Sequence, residues 1–376
     1  MGSSISKNKR LQITNYEKVD IPNESVLLKI ATYNIDLKNT INLSNNIKNI
    51  LTYIIEPYKG KHHDIICLQG ISDYISASHL IKELKHYTKS QGQILYFAPN
   101  FSEIQSVTND TNGMDQTIDE TLKLKKFGQK SSKIMSISGI NRKIETQNII
   151  ISKYPIITTI YSELDESSEN DDILGAKTVI GANISIFGNI ISIYNIELTK
   201  DIKSSGIINS EFRSNELTSL NNIIKQNKIN LTLKSFTNYF KTDIHIVIGA
   251  FHIPDNVSGE LNSEYADVIS DYNFVDIFRI IHDFEEKNNY TNGSNEKSDF
   301  IMLILTDDLY DKKSAYYKKI QNMSTSRDLF KIISSRYKLY FLDIYIRNDI
   351  GNYHTAVNYP TETTFILQKS NAINTV

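Results

Sequence analysis

Asn34, Asn195, Glu197, His252, Asp299 and Asn358 each stand at or just past the end of an apolar run, where a buried strand would open into a loop. Two carboxylates, an imidazole and three amides at such places could hold a hard divalent cation through oxygen, position a water, and donate to an anion such as a phosphate. Asn34, Glu197 and Asp299 would be the ligands of any such cation. Gly70 and Ala250 end two further runs and have no side-chain heteroatom to offer.

The runs that would position these residues are Ala31–Asn34, Asp64–Gly70, Ile193–Leu198 and His245–His252. Around them the periodicity predicts strands over 26–34, 64–70, 93–98, 147–152, 156–161, 177–186 and 189–198, the last two joined at Gly188-Asn189. Further strands are predicted over 243–250, 299–305, 339–346 and 362–368. Helices are predicted over 43–57, 76–88, 209–226 and 260–270, with a Lys- and Tyr-rich helical segment at 311–335. The polar stretch 101–145 reads as an insertion, and Glu163–Asp172 as a solvated acidic loop. No stretch repeats at a solenoid period. Helices alternate with strands, many of them antiparallel neighbours, which fits two packed sheets with helices outside.

In order and spacing the runs resemble the endonuclease/exonuclease/phosphatase superfamily, the DNase I-like fold. Gln147-Asn148-Ile149-Ile150-Ile151-Ser152-Lys153-Tyr154-Pro155-Ile156 is similar to a structural segment of that family and is the clearest match. Thr32-Tyr33-Asn34 keeps the Asn of the first motif, and Ser298-Asp299-Phe300-Ile301 keeps the Asp of another. Asp276-Ile277-Phe278-Arg279 also fits the family's spacing after Gly249-x-Phe251. The resemblance spans residues 26–370 and implies a four-layer α/β sandwich: two packed, mixed, mostly antiparallel sheets flanked by helices.

The same resemblance implies a magnesium-dependent site, and there the chain departs. Leu68-Gln69-Gly70 stands where the family has a metal-binding Glu, and Asn195-Ile196-Glu197-Leu198 where it has a His. Gly249-Ala250-Phe251-His252 lacks the Asp and Asn of its motif, and Ala356-Val357-Asn358-Tyr359-Pro360 lacks an Asp and a His. The expectation is a catalytically degenerate scaffold with a vestigial pocket of Asn34, Gly70, Asn195, Glu197, Ala250, His252, Asp299 and Asn358, and no cofactor. Asp36, Asp73 and Asp255 could substitute only by relocation. An active Mg²⁺-dependent phosphoesterase acting on lipid phosphates, inositol phosphates or nucleic acid is the alternative, and Mg²⁺ belongs to it alone. A non-cleaving nucleic-acid binder is the third reading, against which the net charge of -2 weighs.

Hydrophobic residues make up 40% of the 376, enough for a large core. Cys67 lies inside an apolar run and reads as an inert core thiol, so a reducing compartment is expected. His62-His63-Asp64 could look like a metal cluster, but neighbours on a strand face opposite ways and could not easily share one ion, so the two read as loop histidines. Lys312, Lys313, Lys318 and Lys319 with Tyr316 and Tyr317 read as a solvated helix face. Heavy use of Asn, Ile, Lys and Tyr without any Trp is the signature of AT-rich coding DNA, as in an AT-rich protist or a large DNA virus.

Met1-Gly2-Ser3-Ser4-Ile5-Ser6 matches the N-myristoylation pattern, with Lys7, Lys9 and Arg10 directly after it. One acyl chain binds membrane only marginally, and a basic cluster supplies the second attraction. Residues 1–25 therefore read as a tether that brings a single domain to a membrane surface. The expected location is the cytoplasmic face of a membrane or a virion, with an unidentified protein as further partner. No signal peptide is recognisable, and no run approaches the roughly 18 apolar residues of a membrane span.

Overall fold

A computed structural model describes residues 25–35, 43–55, 63–71, 74–90, 94–99, 148–164, 177–201, 209–233, 241–254, 256–257, 260–278, 299–304, 339–346 and 360–368. Gly2, Lys7, Lys9, Arg10, Asp36, His62, Asp73, Asp255, Val357 and Asn358 lie outside them, as do the 101–145 insertion and the 311–335 segment.

In chain order the elements are β1 (Ser25–Asn34), α1 (Leu43–Ile55), β2 (Ile65–Gln69), α2 (Tyr74–Ser90), β3 (Tyr96–Ala98), β4 (Ile149–Ser152), β5 (Ile156–Glu163), β6 (Thr178–Ile186) and β7 (Asn189–Glu197). There follow α3 (Ser210–Leu233), β8 (Lys241–Ala250), β9 (Asn256–Val257), β10 (Glu260–Leu261), α4 (Ser263–Asp271), β11 (Phe274–Asp276), β12 (Asp299–Ile304), β13 (Leu339–Ile346) and β14 (Thr361–Gln368). Two six-stranded sheets form, ordered β13-β14-β1-β2-β4-β3 and β11-β12-β8-β7-β6-β5. Both are mixed and mostly antiparallel. The parallel pairs are β1 with β2 and β7 with β8, one near the middle of each sheet.

Alternation along each strand explains the layering. On β1, Leu28 and Ile30 enter the core between the sheets, whereas Tyr33 turns outward to the helices. Ile191 and Ile193 of β7 meet that inner core, while Tyr194 and Ile196 face out. The inner core is built largely from isoleucine, a β-branched residue that packs well on a pleated surface. Helix α1 buries Ile47, Ile50 and Ile54 at helical spacing, and α2 buries Ala77, Leu80, Ile81 and Leu84 against the first sheet. Leu217, Leu220 and Ile224 of α3, with Tyr265 and Val268 of α4, cover the second sheet. The result is the four-layer α/β sandwich.

Several boundaries differ from the sequence reading for local reasons. The expected helix over 260–270 begins at Ser263, because the Asn262 side chain caps the Tyr265 N–H at 3.2 Å. Glu260 and Leu261 instead pair with Val257 and Asn256. Helix α3 continues beyond 226 to Leu233 through a polar run whose Asn227 is buried and hydrogen-bonded to Asn183 and the Tyr194 hydroxyl. A short strand, β11, was not expected; it pairs with β12. Cys67 is buried, and burial pushes its thiol well above the ordinary range, as an inert core thiol requires. His63 is also buried, within 2.9 Å of the Glu362 carboxylate.

Candidate functional site

The two parallel pairs bring the C-terminal ends of β1, β2, β7 and β8 to one end of the sandwich. Inward-facing positions of these strands continue past the isoleucine core as Thr32 and Asn34, Gln69, and Asn195 and Glu197. Antiparallel β12 starts at the same end, with Asp299 directly opposite Ala250. Asn34 ends β1 opposite Gln69 and is almost fully buried. Asp299 is 2% exposed.

Amides stitch the sheets together beneath this end. Gln69 donates through Nε2 to the Asn195 Oδ1 at 2.6 Å and to the Cys67 carbonyl at 3.1 Å, while its Oε1 accepts from the Thr32 hydroxyl. Asn195 donates through Nδ2 to the carbonyls of Leu68 at 2.9 Å and Ile149 at 3.0 Å. Asn148 donates to the Thr178 and Asn195 carbonyls. A primary amide has two N–H donors. Gln69 and Asn195 use both of theirs inside the protein, so neither has a donor left for a bound anion. Sequence reading placed Asn195 in the pocket but missed Gln69 and Asn148 as its partners. The available signal was a polar residue in inward phase at each strand end.

Glu197 fills the place above this lattice. Its Oε2 accepts from the Gly70 backbone N–H at 3.1 Å, and its Oε1 lies 3.6 Å from His252 Nε2. Gly70 has a positive φ of 74°, a left-handed turn that favours glycine and points the N–H inward. Glu197 thus reaches across the sheets to the residue where the sequence lacks a carboxylate. His252 itself holds a left-handed φ of 55°, an uncommon conformation for a side chain of its size.

Burial lowers the His252 pKa below the ordinary histidine value; Glu197 opposes this, and the positive charges of Lys177 and Lys200 reinforce it. The folded protein therefore binds the proton less readily than the unfolded chain. Its contribution to stability is present above the unfolded value of about 6.5 and is lost as pH falls from there toward the lower folded value. We expect the unfolding midpoint to drop between about pH 7 and pH 5, and His252→Gln to flatten that slope. Thermal scans of both proteins across this window check it; equal slopes would count against a buried, neutral His252.

An ionic clamp fixes the loop after β7. Arg213 on α3 is 1% exposed and donates to both oxygens of Glu264, at 2.6 and 2.8 Å. It also donates to Asp201 Oδ1 at 2.6 Å and the Thr199 carbonyl at 3.0 Å. Glu216 accepts from the N–H and hydroxyl of Thr199. Partial burial works against the Asp201 carboxylate, yet the bonds from Arg213 and Asn209 hold its pKa below the usual range. These contacts secure the chain just after Glu197.

Among the described residues the donor set does not suit a catalytic divalent metal. Gly70 supplies only an N–H, Ala250 supplies a methyl, and one oxygen of the Glu197 carboxylate is taken by the Gly70 N–H. Among the described residues no group of three or more His, Cys, Asp or Glu side chains is placed to hold a metal ion.

Fold and site together define a four-layer α/β sandwich whose strand ends carry an amide lattice, with Glu197 set beside His252. No family model matches the sequence, and no curated protein matches it. Solved structures are similar in fold. An endonuclease/exonuclease/phosphatase family protein from Leptotrichia buccalis shares 13% identity at a TM-score of 0.49, over 90% of this chain and 99% of the other. Sphingomyelinase C from Streptomyces griseocarneus shares 10% at 0.49, over 90% and 99%. The human Nocturnin catalytic domain shares 13% at 0.48, over 91% and 97%.

Proposed function

We propose that this chain is a non-catalytic member of the endonuclease/exonuclease/phosphatase superfamily, held at a membrane by N-myristoylation and acting as a binding or structural protein. The Glu197 carboxylate carries this reading. Its Oε2 accepts from the Gly70 N–H and its Oε1 stands 3.6 Å from His252 Nε2, where a hydrolase would need a metal ligand and an activated water. The amide donors of Gln69 and Asn195 serve the inter-sheet lattice.

Gly2 takes the acyl chain, and Lys7, Lys9 and Arg10 add attraction to anionic lipid. The protein would then work on the cytoplasmic face of a membrane or in a virion, with a protein partner. AT-rich codon usage fits a large DNA virus as the source. Among the described residues no helix is long and apolar enough to cross a membrane, so attachment through the acyl chain is the simplest physical route.

Assays with Mg²⁺ and Mn²⁺ on DNA and on phosphoinositide vesicles test the non-catalytic reading. Neither substrate should turn over above the protein-free control. Turnover that Asp299→Ala abolishes would establish the divergent phosphoesterase instead.

A further inference from the structure

Tyr87, Ile94, Ile157, Phe187 and Ile229 are the exposed large hydrophobic residues among those described, from 36% for Tyr87 to 71% for Ile94. The topology carries all of them toward one end of the sandwich, opposite Glu197 and His252. Helix α2 leaves the site end after Gly70 and runs to Ser90, placing Tyr87 in its last turn. Ile94 leads into β3, whose Tyr96 pairs with Ser152 at the far end of β4. Ile157 lies at the start of β5, beside the end of β6. Phe187 forms the β6–β7 turn, and Ile229 lies near the end of α3, which leads to the far end of β8.

Phe187 stands out among them. It is 48% exposed, with φ of 45° in a two-residue hairpin turn where Asn or Gly is ordinarily favoured. Its ring meets Tyr154 edge-on at 6.0 Å. An aromatic side chain is thus presented to solvent at a position that also strains its backbone. Cost of both kinds at one residue points to function.

Strand β1 also starts at this end: Ser25 pairs with Gln368, while Asn34 lies at the site end. Residues 1–24, with Gly2, Lys7, Lys9 and Arg10, therefore join the domain on the side of the exposed apolar residues. A single acyl chain with a few basic residues gives weak, reversible attachment, so apolar contact by the body adds directly to affinity.

We infer that this end is a membrane-docking face, with Phe187, Ile157 and Ile94 entering the headgroup–acyl boundary of an anionic bilayer. The inference rests on the acyl-tether reading. In this orientation Glu197 and His252 face the solution, away from the lipid, so the strand ends meet soluble partners rather than the headgroups of the membrane that holds the protein.

The chain contains no Trp, so a single introduced Trp is an unambiguous reporter. F187W reports on the proposed face, with I94W as a second reporter should the first fail to fold. E211W reports on the site end, where Glu211 is exposed in the first turn of α3. The full chain, co-expressed with an N-myristoyltransferase and checked by intact mass, is mixed with phosphatidylserine-containing vesicles with or without brominated acyl chains. Binding is measured separately by sedimentation. We expect the F187W emission to shift to the blue and to be quenched by brominated lipid, and E211W to do neither. Phe187→Glu should lower the vesicle partition coefficient about tenfold.

Sedimentation with F187W and I94W unquenched, or with E211W quenched, overturns the docking face and leaves the tether standing. Failure of the acylated chain to sediment overturns both. A chain left unacylated whose F187W is quenched retires the tether and keeps the face; one neither acylated nor quenched retires both.

Discussion

Gly249→Ala is expected to prevent productive folding. Gly249 has φ of 140°, and a Cβ added there would lie 2.0 Å from the Ile196 carbonyl oxygen and 3.0 Å from its carbon. Both are backbone atoms of the adjacent parallel strand, so neither can swing aside as a side-chain tip could. Clash and strained dihedral together should cost more than about 4 kcal/mol, a large part of a typical domain's stability. The effect reaches the site, because the same stretch sets Ala250 beside Glu197. Soluble yield and thermal unfolding measure it. A folded Gly249→Ala protein with a midpoint within a few degrees of the parent would mean that β7 and β8 are not in this register.

Glu362→Ala should come next in size, and it concerns the outer face of the first sheet. The Glu362 carboxylate is fully buried and lies 2.9 Å from Lys29 Nζ, 2.9 Å from His63 Nε2 and 2.9 Å from the Tyr53 hydroxyl that donates to it. Removing one partner of a buried ion pair costs about 3–5 kcal/mol, because the other charge stays in a medium that solvates it poorly. Replacing Lys29 and Glu362 together with apolar side chains, Lys29→Met with Glu362→Leu, should recover part of that loss, the Tyr53 hydroxyl and His63 ring then keeping each other as partners. Denaturant titration of the three proteins reads both values. A single-variant loss below about 1 kcal/mol would show that the Lys29 ammonium reaches water by another route.

The fold was legible because its evidence is local. Apolar runs of strand length, alternating with amphipathic stretches, recur in an order that resembles one superfamily, and the structure returns the same sandwich. The two-residue strands β9 and β10 escaped notice because two residues carry no periodicity. The site was legible only in part. Gly70, Glu197, His252 and Asp299 could each be picked out at a strand end, but not the meeting of Glu197 with Gly70, which are 127 residues apart. That meeting depends on how one sheet stacks on the other. Glu362 and Tyr53, 309 apart, were missed for the same reason. The only local hint was Lys29, a charge in the interior of an apolar run.

The orientation inferred for the domain bears on which reading of the site is reasonable. A phosphoesterase acting on the membrane that anchors it should turn its strand ends toward the lipid. With Phe187 and the start of β1 at the opposite end, the proposed docking orientation would leave the strand ends to a soluble partner.

Calorimetric titration of Mg²⁺ and Mn²⁺ into the 376-residue protein is the most direct test of the proposal that the strand ends hold no working metal site. No saturable heat is predicted for either ion. Saturable binding by the parent protein that Glu197→Gln or Asp299→Ala abolishes would contradict it, since a working metal site would then stand where the carboxylate accepts from the Gly70 N–H.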